Sequence, residues 1–299
     1  MVEIRLAKKG EEIYQKSLWK ACFGDEQAYI DFYFLNKYKA EETAVLLYKG
    51  EIVAMTTMIP GKLVTAGGQV LELAMLYAVA TDPKHQGKGF STQIMDFCNK
   101  HLIEKGVGLS ILVPAEASLF DFYSKRGYKE AFYVREVTLT YDQIAAFKTN
   151  INQEVSMIPI EASDYNNRRR TLLAATPYVD YNNEELDYQK KLSKEFGADL
   201  YCINIGDIKG CAIVEWIDQN KIFIKEILMP DHLIKEGLKK IAQLLPAKDY
   251  MVRLPTDLGG NLGGIIRPFG MMKIEDTIQI GIKDEMLDKK QGYMGIAYD

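Results

Sequence analysis

Residues 82–92 read Asp-Pro-Lys-His-Gln-Gly-Lys-Gly-Phe-Ser-Thr, between an apolar run ending at Thr81 and a helical pattern. A strand that feeds a short glycine-containing loop and then a helix turns successive backbone N–H groups, and the helix's positive end, toward one point where an anion can sit. Gly87 and Gly89 let the main chain approach closely because no Cβ intervenes, and Lys88 adds a charge. Phosphate is the anion that suits such a cradle. The Walker loop and the dinucleotide fingerprint are excluded, since G-x-x-x-x-G-K-[ST] and G-x-G-x-x-G are both absent here. A second stretch with chemical potential is Leu119-Phe120-Asp121-Phe122-Tyr123, which closes at Gly127. The Tyr123 phenol can donate a proton to a leaving group, or it can pack beside Phe120 and Phe122 as a core aromatic. A Q-x-x-G-x-S loop alone is ordinarily a plain turn, so the surrounding elements decide what it is.

Those elements follow from periodicity and turn residues. A strand over Val2–Leu6 leads to helical stretches over 11–22 and 26–38. Lys49-Gly50, Pro60-Gly61 and Gly67-Gly68 then punctuate β-rich sequence and predict an antiparallel meander. A strand over Val70–Thr81 stops at Asp82-Pro83, where proline ends ladder pairing. Ile94, Met95, Cys98 and Leu102 recur on one face, which predicts a helix over 91–105 stopped by Gly106. Strand 109–113, helix 118–126 and strand 129–140 complete an α/β domain.

The same order of elements then begins again. Residues 157–175 read like 4–22, 200–216 like 44–58, 222–245 like 75–103, 249–257 like 108–116, and 267–274 like 124–131. At 299 residues, against roughly 100–200 for a typical domain, two domains of one fold are the economical reading. The boundaries fall at 1–142 for the first domain, 143–155 for a polar linker and 156–299 for the second.

With those elements in place, Gln86-Gly87-Lys88-Gly89-Phe90-Ser91 resembles the [QR]-x-x-G-x-[GA] signature of the GNAT superfamily of acyl-CoA-dependent N-acetyltransferases, with Ser91 in the last position. Residues 119–128 are similar to the family's second signature, an aromatic helix ending in Y-x-x-x-G-[FY], whose tyrosine falls on Tyr123. Glu116 stands where the family usually carries Asn. The likeness covers about residues 2–140, and the tandem of a regular and a degenerate domain resembles the first two domains of enhanced-intracellular-survival-type acetyltransferases. The resemblance implies a mixed α/β sheet and a transferase that moves acetyl from acetyl-CoA to a primary amine of a small molecule or peptide. Val79, Ala80, Gln86, Gly87, Lys88, Gly89, Phe90, Ser91 and Thr92 would then contact the donor, and Tyr123 would protonate the departing thiolate. Glu72 is a candidate base on the strand leading to the site, and Asp25, Glu26, Tyr29, Asp31, Phe32 and Tyr33 occupy the place where relatives shape the acceptor pocket. The alternative is a non-catalytic acyl-CoA-responsive binding or regulatory protein.

In the second domain, Asp231-His232-Leu233-Ile234 replaces the glycine loop and Ile266 takes the place of Tyr123, so that domain is expected to be degenerate and catalytically silent. It would wall the acceptor cleft instead. Arg168-Arg169-Arg170 reads as a solvated helix face, Gly259 to Gly264 as a flexible connector, and Gly292–Asp299 as a frayed tail or one whose terminal carboxylate reaches the active cleft.

Composition sets the remaining bounds. A formal charge of −4 gives no global positive field for nucleic acid. Cys22, Cys98, Cys202 and Cys211 form no C-x-x-C pair, and His85, His101 and His232 lack companions at ligand spacing, so neither a disulfide framework nor a metal is expected. Residues 1–9 lack the apolar core of a signal peptide, and no run reaches the roughly 18 apolar residues of a membrane span. A cytoplasmic protein without membrane partners is the expectation, and a homo-oligomer is compatible with it.

Overall fold

The computed structural model describes residues 1–148, 151–275 and 291–298. Its first half runs β1 (Val2–Leu6), α1 (Glu12–Phe23), α2 (Gln27–Asn36), β2 (Thr43–Tyr48), β3 (Glu51–Val64), β4 (Val70–Thr81), α3 (Phe90–Glu104), β5 (Leu109–Leu112), α4 (Ala117–Ser124) and β6 (Lys129–Thr140). The second runs α5 (Tyr141–Ala145), β7 (Val155–Pro159), α6 (Ala162–Leu172), β8 (Tyr178–Asp180), α7 (Asn183–Glu195), β9 (Leu200–Ile205), β10 (Ile208–Asp218), β11 (Lys221–Leu228), α8 (Ile234–Leu244), β12 (Asp249–Leu254) and β13 (Ile265–Ile274).

These elements pack as two compact units. Unit 1 takes in Met1–Lys62, Leu71–Lys129 and the end of β13 from Met271. Its sheet runs β1-β2-β3-β4-β5-β13. The β1–β2, β2–β3 and β5–β13 pairs are antiparallel, and β4 lies parallel to β5. The nearly unbroken apolar run of β4 is what a strand covered on both faces requires. Against the sheet packs α3, with Ile94, Met95, Cys98 and Leu102 all buried in one core cluster. Full burial of such side chains contributes about 1.5–3 kcal/mol each.

Unit 2 takes in Leu63–Val70, Glu130–Gly270 and the C-terminal stretch. Its sheet runs β6-β12-β11-β10-β9-β7. Here β11 and β12 are the parallel pair, and the β6–β12, β10–β11, β9–β10 and β7–β9 pairs are antiparallel. Set beside unit 1, this is the same strand order, with the parallel pair in the same place, so the sequence repeat is a repeat of fold. In each sheet the last strand beside the parallel pair comes from the other half of the sequence. Unit 1 ends on β13 and unit 2 on β6.

Several expectations are corrected. Pro60-Gly61 makes no turn, because β3 continues through it to Val64. A proline tolerates extended φ and forfeits only one N–H, and Pro60 is exposed. The three arginines are not a solvated face. Arg169 is fully buried, donating from Nε to Glu226 at 3.0 Å, from Nη1 to the Val179 carbonyl at 2.8 Å and from Nη2 to the Met294 carbonyl at 3.1 Å. Its neighbours Arg168 and Arg170 bond Asn204 and Asp180. The glycine-rich stretch 259–264 is fixed in place. Asp231 accepts the Gly259 N–H at 2.6 Å, and a Cβ on Gly264 would fall 2.2 Å from the Glu136 carbonyl oxygen. Residues Tyr293 to Tyr298 are buried within unit 2, with the Tyr298 phenol donating to Glu185. The terminal carboxylate of Asp299 lies outside the described residues. Among those residues no helix is long and apolar enough to cross a membrane.

Candidate active site

The parallel pair β4–β5 stays in register only from Leu73↔Leu109 to Met75↔Ile111. Beyond that point β4 runs on to Thr81 while β5 ends at Leu112, so the two strands part. Open parallel sheets bind ligands where the carboxyl ends of adjacent strands diverge. Ala78 stands in the parted segment with φ of 52°, a left-handed residue inside a strand. Such a conformation in alanine is strained and re-aims the groups that follow it, as a bulge does. The strain is held by neighbours, since Thr56 Oγ1 donates to the Tyr77 carbonyl at 3.1 Å. The resemblance places main-chain contacts along this strand end, residues 77–80, but nothing in the sequence marks Ala78 as left-handed, since an alanine carries no signal of a positive φ.

The loop after β4 is shaped by short local bonds. Asp82 accepts the Lys84 N–H at 2.8 Å, and Gln86 donates to the Thr81 carbonyl at 3.4 Å. Gly87 and Gly89 both adopt the left-handed conformation, with φ of 76° and 74°. A Cβ on either would meet no protein atom within 4 Å; it would project into the open space above the loop. Gly89 is the N-cap of α3 and no side chain caps that helix, so the first-turn N–H groups lack intrahelical acceptors. These donors, the helix dipole and the exposed Lys88 together suit a phosphate group. Lys88 Nζ sits 3.1 Å from His85 Nδ1 and 5.5 Å from the centre of the Tyr48 ring.

Phe90, the first residue of α3, turns its ring into the core beside Tyr48, so only its main chain faces the loop. Phe90, Val79 and Tyr123 belong to one packed cluster, which brings the strand end, the loop and α4 together. Ser91 and Thr92 are half-buried in the first turn of α3. Tyr123 is 7% exposed, and burial pushes its phenol up to about 12, with the Arg126 charge acting weakly the other way. The neighbouring Tyr128 meets Ser110 Oγ at 2.8 Å. Among the described residues the Tyr123 hydroxyl meets no hydrogen-bond partner.

Glu72 is not gathered into this cluster. It sits early on β4, 58% exposed at its side chain, in an ion pair with Lys62 at 3.3 Å. The aromatic run of α2 packs instead beside β4. Trp19 lies 4.7 Å from Tyr33 and 5.7 Å from Tyr77 between ring centres, its indole N–H donates to Asp25 at 2.7 Å, and the Tyr29 and Tyr77 hydroxyls lie 3.1 Å apart.

Unit 2 treats the equivalent place differently. After β11 come Pro230 and the single turn Asp231–Leu233, with no glycine, and Ile266 lies exposed at the start of β13. A cavity of about 300 Å³ opens there, lined largely by apolar groups such as Leu173, Leu228, Met229 and Pro255, with Asp257 as its only ionisable side chain. Among the described residues that line it there is no Lys, Arg or His to meet a phosphate. Among the described residues no cluster of His, Cys, Asp and Glu is arranged to take a metal ion.

Comparison with known proteins agrees with this geometry. Residues 3–131 match the family model of the acetyltransferase (GNAT) domain. No curated protein matches the sequence. Among solved structures, the chain is similar to a GCN5-related N-acetyltransferase from Anabaena variabilis, with a TM-score of 0.74 and 15% identity over 92% of this chain and 73% of that one. A GCN5-related N-acetyltransferase from Kribbella flavida gives a TM-score of 0.70 at 13% identity over 93% and 72%. Eis1 from Mycobacterium abscessus gives 0.68 at 12% over 92% and 74%. At these identities the structures speak for the fold, and the family model, over the stretch that carries the strand, loop and aromatic helix, speaks for the domain. Residues 3–131 of the chain are thus a GNAT acetyltransferase domain.

Proposed function

We propose that the protein transfers acetyl from acetyl-CoA to a primary amine, with all of the chemistry in unit 1. The observation that carries this reading is the pair of left-handed glycines at an uncapped helix N-terminus, directly after a strand that has parted from its parallel neighbour. The N–H groups of residues 87–92 hold the donor's diphosphate. The main chain at Ala78, Val79 and Ala80 faces the thioester, where an N–H stabilises the oxyanion that forms on attack. A neutral amine nitrogen bonds to the carbonyl carbon, the C–S bond breaks, and the Tyr123 phenol gives its proton to the departing sulfur. The proton shed by the new amide nitrogen restores the phenol. A lysine-like amine has a pKa near 10.4, so it reaches the site as an ammonium and must lose a proton first. Unit 2, which lacks both the glycines and the phenol, takes no part in these steps.

Glu72 is left out of this scheme because it spends its charge on Lys62 at the surface. Glu72→Gln is expected to change kcat and KM less than about twofold, surface pairs contributing little. A loss of tenfold or more would return it to the mechanism. The donor site itself is tested by Gly89→Glu, which places a carboxylate and a Cβ where the diphosphate lies, at a φ that L side chains resist. Losing charge-assisted bonds to phosphate is expected to weaken acetyl-CoA binding by about 10–100-fold in calorimetry. Unchanged affinity would show that the donor lies elsewhere.

A further inference from the structure

Arg126 closes the turn after α4, three residues beyond Tyr123, and its side chain reaches the first turn of α3. Nε and Nη2 both donate to Thr92 Oγ1, at 3.0 and 2.6 Å, and Nη1 donates to the Phe122 carbonyl at 2.5 Å. The guanidinium carbon lies over the Phe122 ring, 3.4 Å from its centre. Three anchors and a stacking face fix its plane, leaving one N–H unused on each terminal nitrogen. Among the described residues it forms no ion pair. Burial lowers its pKa, opposed by the nearby Tyr123 and Asp96.

That placement is electrostatically costly as it stands. The positive end of α3 and a half-buried guanidinium are like charges, which repel unless an anion lies between them. A surface arginine free to choose would turn to water or to a carboxylate. This one is tied to the hydroxyl of a residue in the same helical turn whose N–H groups face the loop. A rigid, planar donor with a free N–H on each terminal nitrogen is the group that matches adjacent phosphate oxygens.

We infer that Arg126 is a donor-binding residue, one that clamps the diphosphate of the acyl-CoA from the α4 side while the loop main chain holds it from the α3 side. This rests on the acyl-CoA reading above and adds to it a side chain that neither signature singles out. Because Arg126 follows α4 by two residues and Tyr123 lies in its last turn, a diphosphate seated against the guanidinium also sets how far along α4 the thioester falls.

The test uses the full chain and two non-reacting probes, CoA and pantetheine, the second lacking every phosphate. Arg126→Met keeps the stem over Phe122 and removes the charge, and Arg126→Gln serves as a second neutral variant. Both are expected to weaken CoA binding by about 10–100-fold, the worth of one or two charge-assisted bonds, while pantetheine affinity stays within about twofold. Arg126→Lys recovers much of the CoA affinity. An equal loss for both probes would overturn the inference by showing that Arg126 only staples α4 to α3, and so would undiminished CoA binding in the neutral variants. Wild type that binds no CoA would overturn the donor reading together with this one; wild-type binding that the neutral variants share would overturn this one alone.

Discussion

Tyr123→Phe is expected to keep acetyl-CoA affinity and lower turnover by about 10²–10⁴, the usual worth of general-acid assistance. The ring is buried among Phe122, Tyr128 and the core of unit 1, so removing one oxygen leaves the packing intact. Among the described residues the oxygen meets no hydrogen-bond partner, so the substitution strands no donor or acceptor there. What disappears is the proton that the proposed mechanism gives to the leaving sulfur. Its pH behaviour follows from the sign of the shift. Burial disfavours the phenolate, so the pKa is raised to about 12 and the protonated, competent form persists through neutral and moderately basic pH. The profile of kcat should therefore show no falling limb from this group below about pH 11. Equal single-turnover rates for wild type and Tyr123→Phe would remove the residue from the mechanism.

Glu226→Ala is expected to destabilise unit 2 by about 3–5 kcal/mol. Glu226 on β11 is fully buried and receives Arg169 Nε at 3.0 Å and the Tyr165 hydroxyl at 2.7 Å. Without it a guanidinium is left in the core with no counter-charge, surrounded by the rings of Tyr178, Tyr181 and Tyr293. The cost is the stranded charge rather than the worth of the pair, so replacing both partners by apolar residues, as in Arg169→Met with Glu226→Leu, is expected to cost much less than the single change. Denaturant titration of the two variants checks this, and equal losses would contradict it. Because Arg169 also holds the Met294 carbonyl, removal of residues 292–299 is expected to strand part of the same charge and to lower the midpoint in the same experiment.

The parts of this fold that were legible in the sequence are those with a local physical signal. β1, β4 and β6 fall at the residues where apolar runs and turn residues put them, and α3 shifts by only one residue at each end. The strand exchange had no such signal, because β6 and β13 carry the same half-buried pattern whichever sheet they complete. Arg169 was misread for a related reason. Three consecutive arginines on a polar helix look solvated, and only the carboxylate of Glu226, 57 residues away in sequence, makes burial tolerable. The glycine loop could be picked out because a left-handed backbone beside a helix start demands glycine. Ala78 does the same on β4 without that mark, and Arg126 owes its importance to Thr92, 34 residues earlier.

The central claim is that this chain turns over acetyl-CoA in an amine-dependent way, and it is tested most directly by following free CoA thiol while wild-type protein meets polyamines, aminoglycosides, amino acids and lysine peptides in turn. Thiol release that requires at least one of these amines, saturates with it and falls by about 10²–10⁴ in Tyr123→Phe is the predicted result. Protein that binds acetyl-CoA yet releases no thiol above background with any amine would contradict the account and identify the chain as an acyl-CoA-responsive binding protein.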